Sequence, residues 1–196
     1  MEREKVYDVT EKMIAQLEAY RKDGRETALF ASLRNTTGRT FAFAAEVWPF
    51  MFSNMPEMFL GTGTKTTYEE NAIFQTLQYY AICMQGTADA IYTAGKEAGS
   101  MGKSLNAIRT GDYTALDRRF NAMITSTTYV EFTYHLRQLI KILKSKAKTG
   151  VNVNFAKLAE DLYWYQRDKK NTVCFEWAKE YYSSTNAETK EEQENE

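Results

Sequence analysis

Apolar residues recur every three or four positions along most of the chain, which is the periodicity of amphipathic α-helices. The first such segment runs from Glu2 to Lys22, and Gly24 follows it as a residue suited to ending a helix. The same period predicts further helices over residues 27–35, 67–86, 104–110, 128–148, 154–166 and 172–182, and another that begins after Asp112. Helices are thus predicted over most of the sequence.

Residues at the predicted helix ends support this interpretation. Thr67 with Glu70, and Thr128 with Glu131, have the spacing of capping boxes. Single residues suited to the N-cap position precede two other predicted helices, at Asp112 and Asn154. Residues 151–155 alternate as a strand would, but the stretch is short and Asn154 fits a helix cap better.

Turn-forming residues are scarce, since the 196 residues include only 2 prolines and 10 glycines. An all-β sandwich needs frequent turns, so this scarcity argues against one. Both prolines, Pro49 and Pro56, lie within residues 41–59, which we expect to form short helical pieces separated by turns. The predicted fold is therefore all-α.

Glycines at positions 86, 95, 99 and 102 suggest a boundary between two small helical bundles. We expect an N-terminal helical subdomain over residues 1–101 and a C-terminal bundle with a basic face over residues 102–185. Residues 186–196 are polar and acidic, and we expect a disordered tail there.

Targeting and redox signals are few. Cys83 and Cys174 cannot form a disulfide framework, and no signal peptide is recognisable, so we expect a cytoplasmic protein. The most apolar stretch, Phe41 to Phe52, contains Glu46 and is too short to span a bilayer.

The sequence offers no positive case for catalysis, and we expect no cofactor and no metal. The loop from Gly61 to Thr67 lacks the glycine before Lys65 that a phosphate-binding loop requires. His135 is the only histidine, and its most economical interpretation is a helix residue between core and surface. Glu160 and Asp161 are adjacent on a predicted helix, so their side chains diverge by about 100° and do not face one bond or metal together.

The net charge of −1 conceals an uneven distribution of charged residues. Residues 1–102 hold 10 basic and 13 acidic side chains, whereas residues 103–179 hold 14 basic and 7 acidic. Residues 180–196 hold 1 basic and 6 acidic side chains. A basic segment masked by an acidic end is a reason to expect a polyanionic partner.

The predicted helix from residue 128 to 148 separates apolar from basic side chains. At about 100° per residue, its apolar residues fall within a sector of roughly 100°, and its basic residues fall together on the far side. The basic residues are Arg137, Lys141, Lys144 and Lys148. Because no carboxylate lies among them, the stripe favours contact with a phosphate backbone over a merely solvated face.

Other basic groups lie in the same part of the chain. They are Arg109, Arg118, Arg119, Arg167, Lys169 and Lys170. Arginine suits bidentate contact with phosphate. Aromatic residues at helical spacing are expected in the core rather than stacked on bases, namely Tyr163, Trp164, Tyr165 and Trp177. We expect Trp177 and Trp164 to be buried with Leu136, Phe120 and Leu139.

An ordered set of short blocks from about Ala28 to Tyr182 resembles the CasB family, the small subunit of the type I-E CRISPR Cascade surveillance complex. The blocks are Leu33-Arg34 with Gly38-Arg39, Val47-Trp48-Pro49, Gly102 with Leu105, Asp117-Arg118-Arg119-Phe120, His135-Leu136-Arg137-Gln138-Leu139, Asp161-Leu162, Trp164 and Trp177-Ala178-Lys179. Departures from the family pattern are a longer loop over residues 54–66, Asn154 in place of an aspartate, and the acidic tail.

This resemblance implies an all-helical protein with N- and C-terminal bundles and no catalytic activity. It implies contact with guide RNA, the target strand and the displaced DNA strand, other Cascade subunits as partners, and two copies within the complex. The matching positions are Arg34, Arg118, Arg119 and Arg137, and more loosely Arg167, Lys169 and Lys170. Arg39 belongs to the first block.

The sequence therefore predicts a non-catalytic subunit of an RNA-guided complex that binds nucleic-acid backbone in prokaryotic antiviral defence. Since guide pairing would supply sequence specificity, such a subunit need not read bases. The alternative is an all-helical adaptor that docks an acidic protein partner through its basic face. No membrane association is expected.

Overall fold

Helices make up most of the structure, a computed structural model that describes residues 5–24, 27–86, 99–146 and 152–183. No extended strand occurs within these ranges, so the predicted all-α fold is confirmed. The helices are α1 (Val6–Lys22), α2 (Thr27–Asn35), α3 (Trp48–Asn54), α4 (Tyr68–Met84), α5 (Met101–Asn106), α6 (Thr114–Ile124), α7 (Tyr129–Ser145), α8 (Phe155–Trp164) and α9 (Lys170–Tyr181). The expected acidic tail lies outside the described residues.

Helix α4 forms the centre of the molecule. It packs against α1, α2, α7 and α8, and most of its residues are buried, including Tyr79 and Tyr80. Its start is fixed by the predicted capping box, in which Thr67 Oγ1 accepts from the Glu70 amide and the Glu70 carboxylate accepts from the Thr67 amide. Short 3₁₀ helices at Phe41–Phe43, Ala45–Val47 and Glu57–Phe59 flank α3, as the two prolines predict.

Helices from the two halves of the chain pack directly on each other. Helix α8 lies against α1 and α4, and α7 also lies against α4. The Tyr79 hydroxyl on α4 donates to the Thr133 carbonyl on α7 at 2.7 Å. The division into subdomains over residues 1–101 and 102–185 stays a prediction.

The C-terminal core contains four of the five residues expected there. Phe120, Leu136, Leu139 and Trp177 are fully buried. Trp164 is only partly buried, so that prediction is wrong for it. Trp164 is the last residue of α8 and lines a groove. The Lys169 ammonium lies 4.2 Å from its ring centroid.

A buried polar pair connects α8 with α9 in this core. The Trp177 indole donates to Asp161 Oδ2 at 2.8 Å, and Lys157 Nζ lies 2.7 Å from Asp161 Oδ1. Burial raises the pKa of Asp161 to about 6. Asp161 therefore serves as the acceptor that lets a tryptophan nitrogen be buried without loss of its hydrogen bond.

Several helix ends differ from the sequence expectation because distant residues fix them. Helix α5 begins at Met101 rather than Ser104, since Ser100 caps it and the Glu180 carboxylate on α9 binds the Ser100 amide at 2.8 Å. A Cβ on Gly102 would lie 2.1 Å from the Trp177 carbonyl oxygen, so only glycine allows α5 to approach α9 this closely.

The caps of the middle helices also differ in detail. Tyr113 is the N-cap residue of α6, while Asp112, the expected cap, lies one position earlier and accepts from the Thr114 amide. Thr128 caps α7 as predicted, but the Glu131 carboxylate accepts from the Thr127 amide at 2.8 Å. Asn154 caps α8 as predicted, and its side chain accepts from the Lys157 amide at 2.9 Å.

Candidate nucleic-acid interface

Helix α7 places its apolar side inward, as its sequence pattern predicts. Phe132, Leu136, Leu139, Ile140 and Leu143 are all fully buried. Their burial fixes the rotation of the helix and directs Arg137, Lys141 and Lys144 away from the core centre. Lys148, the last member of the predicted stripe, lies outside the described residues.

The structure brings two arginines from the N-terminal half to this side of α7. Arg39 and Arg137 line one groove, and the charge of Arg34 is close enough to Lys144 to help lower its pKa. We call this set the α7 basic face, and it comprises Arg34, Arg39, Arg137, Lys141 and Lys144. Partial burial is the larger cause of the lowered Lys144 pKa.

The cations of the α7 basic face are mostly without acidic partners. Arg39 Nη1 lies 3.5 Å from Glu46 Oε1, and both side chains are about half exposed. Lys144 Nζ donates to the neutral amide oxygen of Gln85 at 3.5 Å. Within the described ranges, no carboxylate pairs with the other four members of the face. Four of the five cations of the face are therefore without a compensating carboxylate in the part of the chain that the structure describes.

Arg137 is held differently from an ordinary surface arginine. Its side chain is half-buried, and its buried Nε atom has no hydrogen-bond partner among the described residues. A Cβ on Gly38 would lie 3.0 Å from Arg137 Nη1, and the φ of Gly38 is +89°. The positive φ is what favours glycine at this turn, which places its backbone beside the guanidinium.

Arg118 and Arg119 lie on α6, the helix that packs beside α7. Arg118 and Arg119 are both exposed, while Phe120 and Met123 of the same helix are buried. Neither arginine forms an ion pair with a carboxylate that the structure describes. Their guanidinium groups are therefore available to an anionic partner.

Arg109 is in a contrasting environment at the junction of α5, α6 and α9. Its Nε and Nη2 atoms donate to the two carboxylate oxygens of Asp117 at 2.9 and 3.0 Å. The guanidinium also lies 4.0 Å from the ring centroid of Tyr113, and the Tyr181 hydroxyl donates to Asp117 at 2.6 Å. These hydrogen bonds lower the pKa of Asp117.

The three remaining basic candidates lie at the corner between α8 and α9. Arg167 donates to the Tyr163 hydroxyl at 2.9 Å, and Lys169 lies over the Trp164 ring. Lys170 donates to the Ser126 carbonyl, which connects this corner to the loop between α6 and α7. Asp168, which lies between Arg167 and Lys169, has a φ of +60°, so the helical path bends sharply at this residue.

Residues considered for catalysis are placed in structural roles. His135 is partly buried and packs edge-to-face on Tyr134. The loop before Thr67 is closed by the Gly61 amide, which donates to the Glu70 carboxylate at 3.2 Å. Within the described residues, no group of three or more potential metal ligands occurs and no helix is long and apolar enough to cross a bilayer.

The groove beside Arg137 contains functional candidates that the sequence did not reveal. Tyr134 and Gln75 line it, although they come from α7 and α4. Nothing in the local sequence distinguishes Tyr134 from other helical tyrosines, because its position depends on a turn almost 100 residues earlier. Only the packing of residues 38–41 against α7 brings these groups together.

The fold and the site thus define an all-helical protein with a basic face whose cations, apart from Arg39, have no acidic partner among the described residues. Residues 29–182 match the family described as CRISPR-associated protein Cse2, and the chain belongs to this family. The resemblance found in the sequence is therefore confirmed at the family level. None of the curated proteins compared with the chain matches it.

Solved structures show the same fold. CasB from Thermobifida fusca is 20% identical with a TM-score of 0.71, over 91% of this chain and 98% of that one. A Cse2-family CRISPR-associated protein from Thermus thermophilus is 21% identical with a TM-score of 0.64, over 89% and 98%. A chain of a CRISPR RNA-guided surveillance complex is 16% identical with a TM-score of 0.67, over 97% and 100%.

Proposed function

We propose that this protein is a non-catalytic subunit of a CRISPR RNA-guided complex that holds nucleic-acid strands by their backbones. Its partners are the guide RNA, the target and displaced DNA strands, and the other subunits of a Cascade complex of type I-E. It acts in the cytoplasm of a prokaryote in antiviral defence. Base pairing by the guide carries the sequence information, so the subunit contributes affinity for backbone.

The observation that carries this proposal is the α7 basic face. Its five cations come from two distant parts of the chain, and Arg39 alone has a described acidic partner. A solvated surface ordinarily mixes charges of both signs. Membership of the Cse2 family, and the likeness to a chain of a surveillance complex, support the same role.

Arg118 and Arg119 extend this proposal to α6, and the corner of Arg167, Lys169 and Lys170 extends it to the end of α8. Arg109 is the basic candidate whose guanidinium is already bound to a carboxylate. We therefore assign it a smaller share of backbone contact than Arg137.

A salt titration of single-strand binding tests the proposal. If about four cations neutralise phosphates, the logarithm of the binding constant falls against the logarithm of salt concentration with a slope near −3, at about 0.7 per contact. Arg137→Ala and Lys141→Ala each make the slope shallower by about 0.7 and weaken strands of every sequence alike.

The matched control is Lys65→Ala, because Lys65 is exposed but lies in the loop before α4, outside the α7 basic face. This variant keeps the slope of the parent. Identical slopes for all variants would remove the α7 basic face from the interface. In an assembled complex, Arg137→Ala is expected to speed the loss of target DNA while leaving the specificity of guide pairing intact.

Contact with other protein subunits is supported by a separate exposed apolar region around α3. Phe43 is 77% exposed, Met58 55% and Phe52 45%, and all three lie close to Trp48 in the sequence. Exposed apolar side chains that form one continuous patch are typical of a protein–protein contact. We propose that this region faces another subunit, and that two copies of the chain are present in the complex.

The same titration separates the adaptor hypothesis from nucleic-acid binding. An adaptor that docks an acidic protein would bind polyglutamate at least as tightly as a single strand of equal charge. Tighter binding of the strand, with loss of affinity in Arg137→Ala, is the result expected for a nucleic-acid-binding subunit.

A further inference from the structure

A groove of about 460 Å³ lies between the start of α7 and the turn that follows α2. One wall consists of α7 side chains, including Val130, Tyr134 and Arg137, and the other contains Arg39 and Phe41. Gln75 of α4 contributes to the lining. The volume is within the range of sites that hold small molecules, which is about 300–1,000 Å³.

Two arginines supply the hydrogen-bond donors of the groove. Arg39 is exposed, and Arg137 is half-buried with no carboxylate partner among the described residues. A guanidinium group presents several N–H donors in a planar fork, which suits an anion with several oxygens.

The remaining lining has the chemistry of a base-binding surface. Tyr134 is 52% exposed, so part of its ring is open to solvent. Gln75 donates one amide hydrogen to Gln78 at 2.9 Å, which leaves its carbonyl oxygen to accept. No acidic side chain lines the groove among the described residues, whereas two arginines do. A cationic, partly aromatic groove favours a nucleotide.

We propose that this groove holds one unstacked nucleotide of a bound strand, with its phosphate on Arg39 and Arg137 and its base against the Tyr134 ring. The inference deepens the proposed function and rests on it. It adds a base-dependent but sequence-tolerant contribution to binding, because every base has a face that can stack on an aromatic ring.

An acidic side chain from a protein partner fits the groove less well. A carboxylate could reach the two arginines, but it would leave the exposed part of the Tyr134 ring without a partner of matching shape. A nucleotide satisfies the cationic and aromatic parts of the groove together. Polyglutamate therefore serves as the competing ligand in the test.

Two labelled strands distinguish the base from the backbone, namely oligothymidine and a strand of equal length whose sugars are all abasic. Fluorescence anisotropy with the full chain measures the affinity for each. Tyr134→Ala is expected to weaken binding of oligothymidine at least fivefold, since stacking on an aromatic ring contributes about 1–3 kcal/mol per base. It leaves the abasic strand unchanged, whereas Arg137→Ala weakens both strands.

Tyr134→Phe retains the ring and is expected to bind both strands like the parent. Phe175→Ala is the control for loss of an exposed aromatic residue, because Phe175 is 71% exposed on α9. An equal effect of Tyr134→Ala on the two strands, or a larger effect on polyglutamate, would overturn the groove assignment while leaving the proposed function standing. A parent chain that binds neither strand would overturn both.

Discussion

Arg109 and Arg137 are chemically identical side chains that the fold uses in opposite ways. Both guanidinium groups lie near a tyrosine ring, at 4.0 Å from the Tyr113 centroid for Arg109 and 5.5 Å from the Tyr134 centroid for Arg137, but Arg109 is also bound by both oxygens of Asp117. Arg137 is partly buried against the Gly38 turn, and its Nε atom has no described partner. The first arginine completes its contacts within the chain, while the second retains capacity for a ligand.

The comparison shows that basic residues cannot be ranked as ligand contacts by charge or by exposure alone. Arg109 and Arg137 are both intermediate in exposure. The difference lies in whether a carboxylate of the same chain satisfies the fork of donors. An arginine with a complete set of partners stabilises the fold, and one with unused donors is a candidate for binding.

The largest effect is expected on stability, from a substitution of Leu136, the buried residue that precedes Arg137 on α7. Leu136 is fully buried on α7, so Leu136→Ala is expected to lower the free energy of unfolding by about 2–5 kcal/mol through loss of packing and formation of a cavity. Chemical denaturation measures the change. A loss below about 0.5 kcal/mol would show that this residue does not lie on the buried face of α7.

The second-largest effect is a difference in stability and in salt slope between variants of Arg109 and Arg137. Arg109→Ala removes two charge-assisted hydrogen bonds and is expected to cost about 1.5–3 kcal/mol of stability. We expect it to change the salt slope of strand binding less than Arg137→Ala does, whereas Arg137→Ala changes stability less. Denaturation curves and salt titrations of both variants give the comparison, and a reversed order would contradict it.

The smallest effect concerns pH. The hydrogen bonds from Arg109 keep the pKa of Asp117 below its usual value, which is about 3.9 in an unfolded chain. The stabilisation is therefore complete above the unfolded pKa and is lost as pH falls through the lower pKa of the folded state. The difference in unfolding free energy between the parent and Asp117→Asn is expected to be constant near neutral pH and to shrink in acid.

For Asp161→Asn, the difference in unfolding free energy from the parent is expected to change with pH in the opposite direction. Burial raises the pKa of Asp161 to about 6, so this group contributes more stability as pH falls from above 6 toward the unfolded value near 4. A difference for Asp117→Asn that grows in acid would show that Arg109 does not stabilise the ionised carboxylate.

Features set by local interactions could be predicted from the sequence. The Thr67–Glu70 capping box and the Asn154 cap depend on residues within one turn, and both are present. The inward face of α7 follows from periodicity alone, and its apolar residues are buried as expected. These signals were sufficient for the all-α fold.

Features that depend on distant contacts could not be predicted in this way. The start of α5 is fixed by Glu180, which lies 80 positions after Ser100. The pairing of Arg109 with Asp117 joins the loop after α5 to α6, and the groove at Arg137 joins residues from separate elements. The helical pattern, the charge distribution and the family resemblance identified the basic residues, but only the packing distinguishes a satisfied guanidinium from one with unused donors.

The close contact between α5 and α9 has a consequence for the order of events during synthesis. Gly102 lies against the backbone of Trp177, and Ser100 is bound by Glu180. The residues of α9 that fix the position of α5 are therefore synthesised long after α5 itself. At about 5–20 residues per second, a ribosome takes seconds to span that interval. During those seconds α5 has no α9 to pack against. The C-terminal core is completed only when α9, the last described helix, has been synthesised.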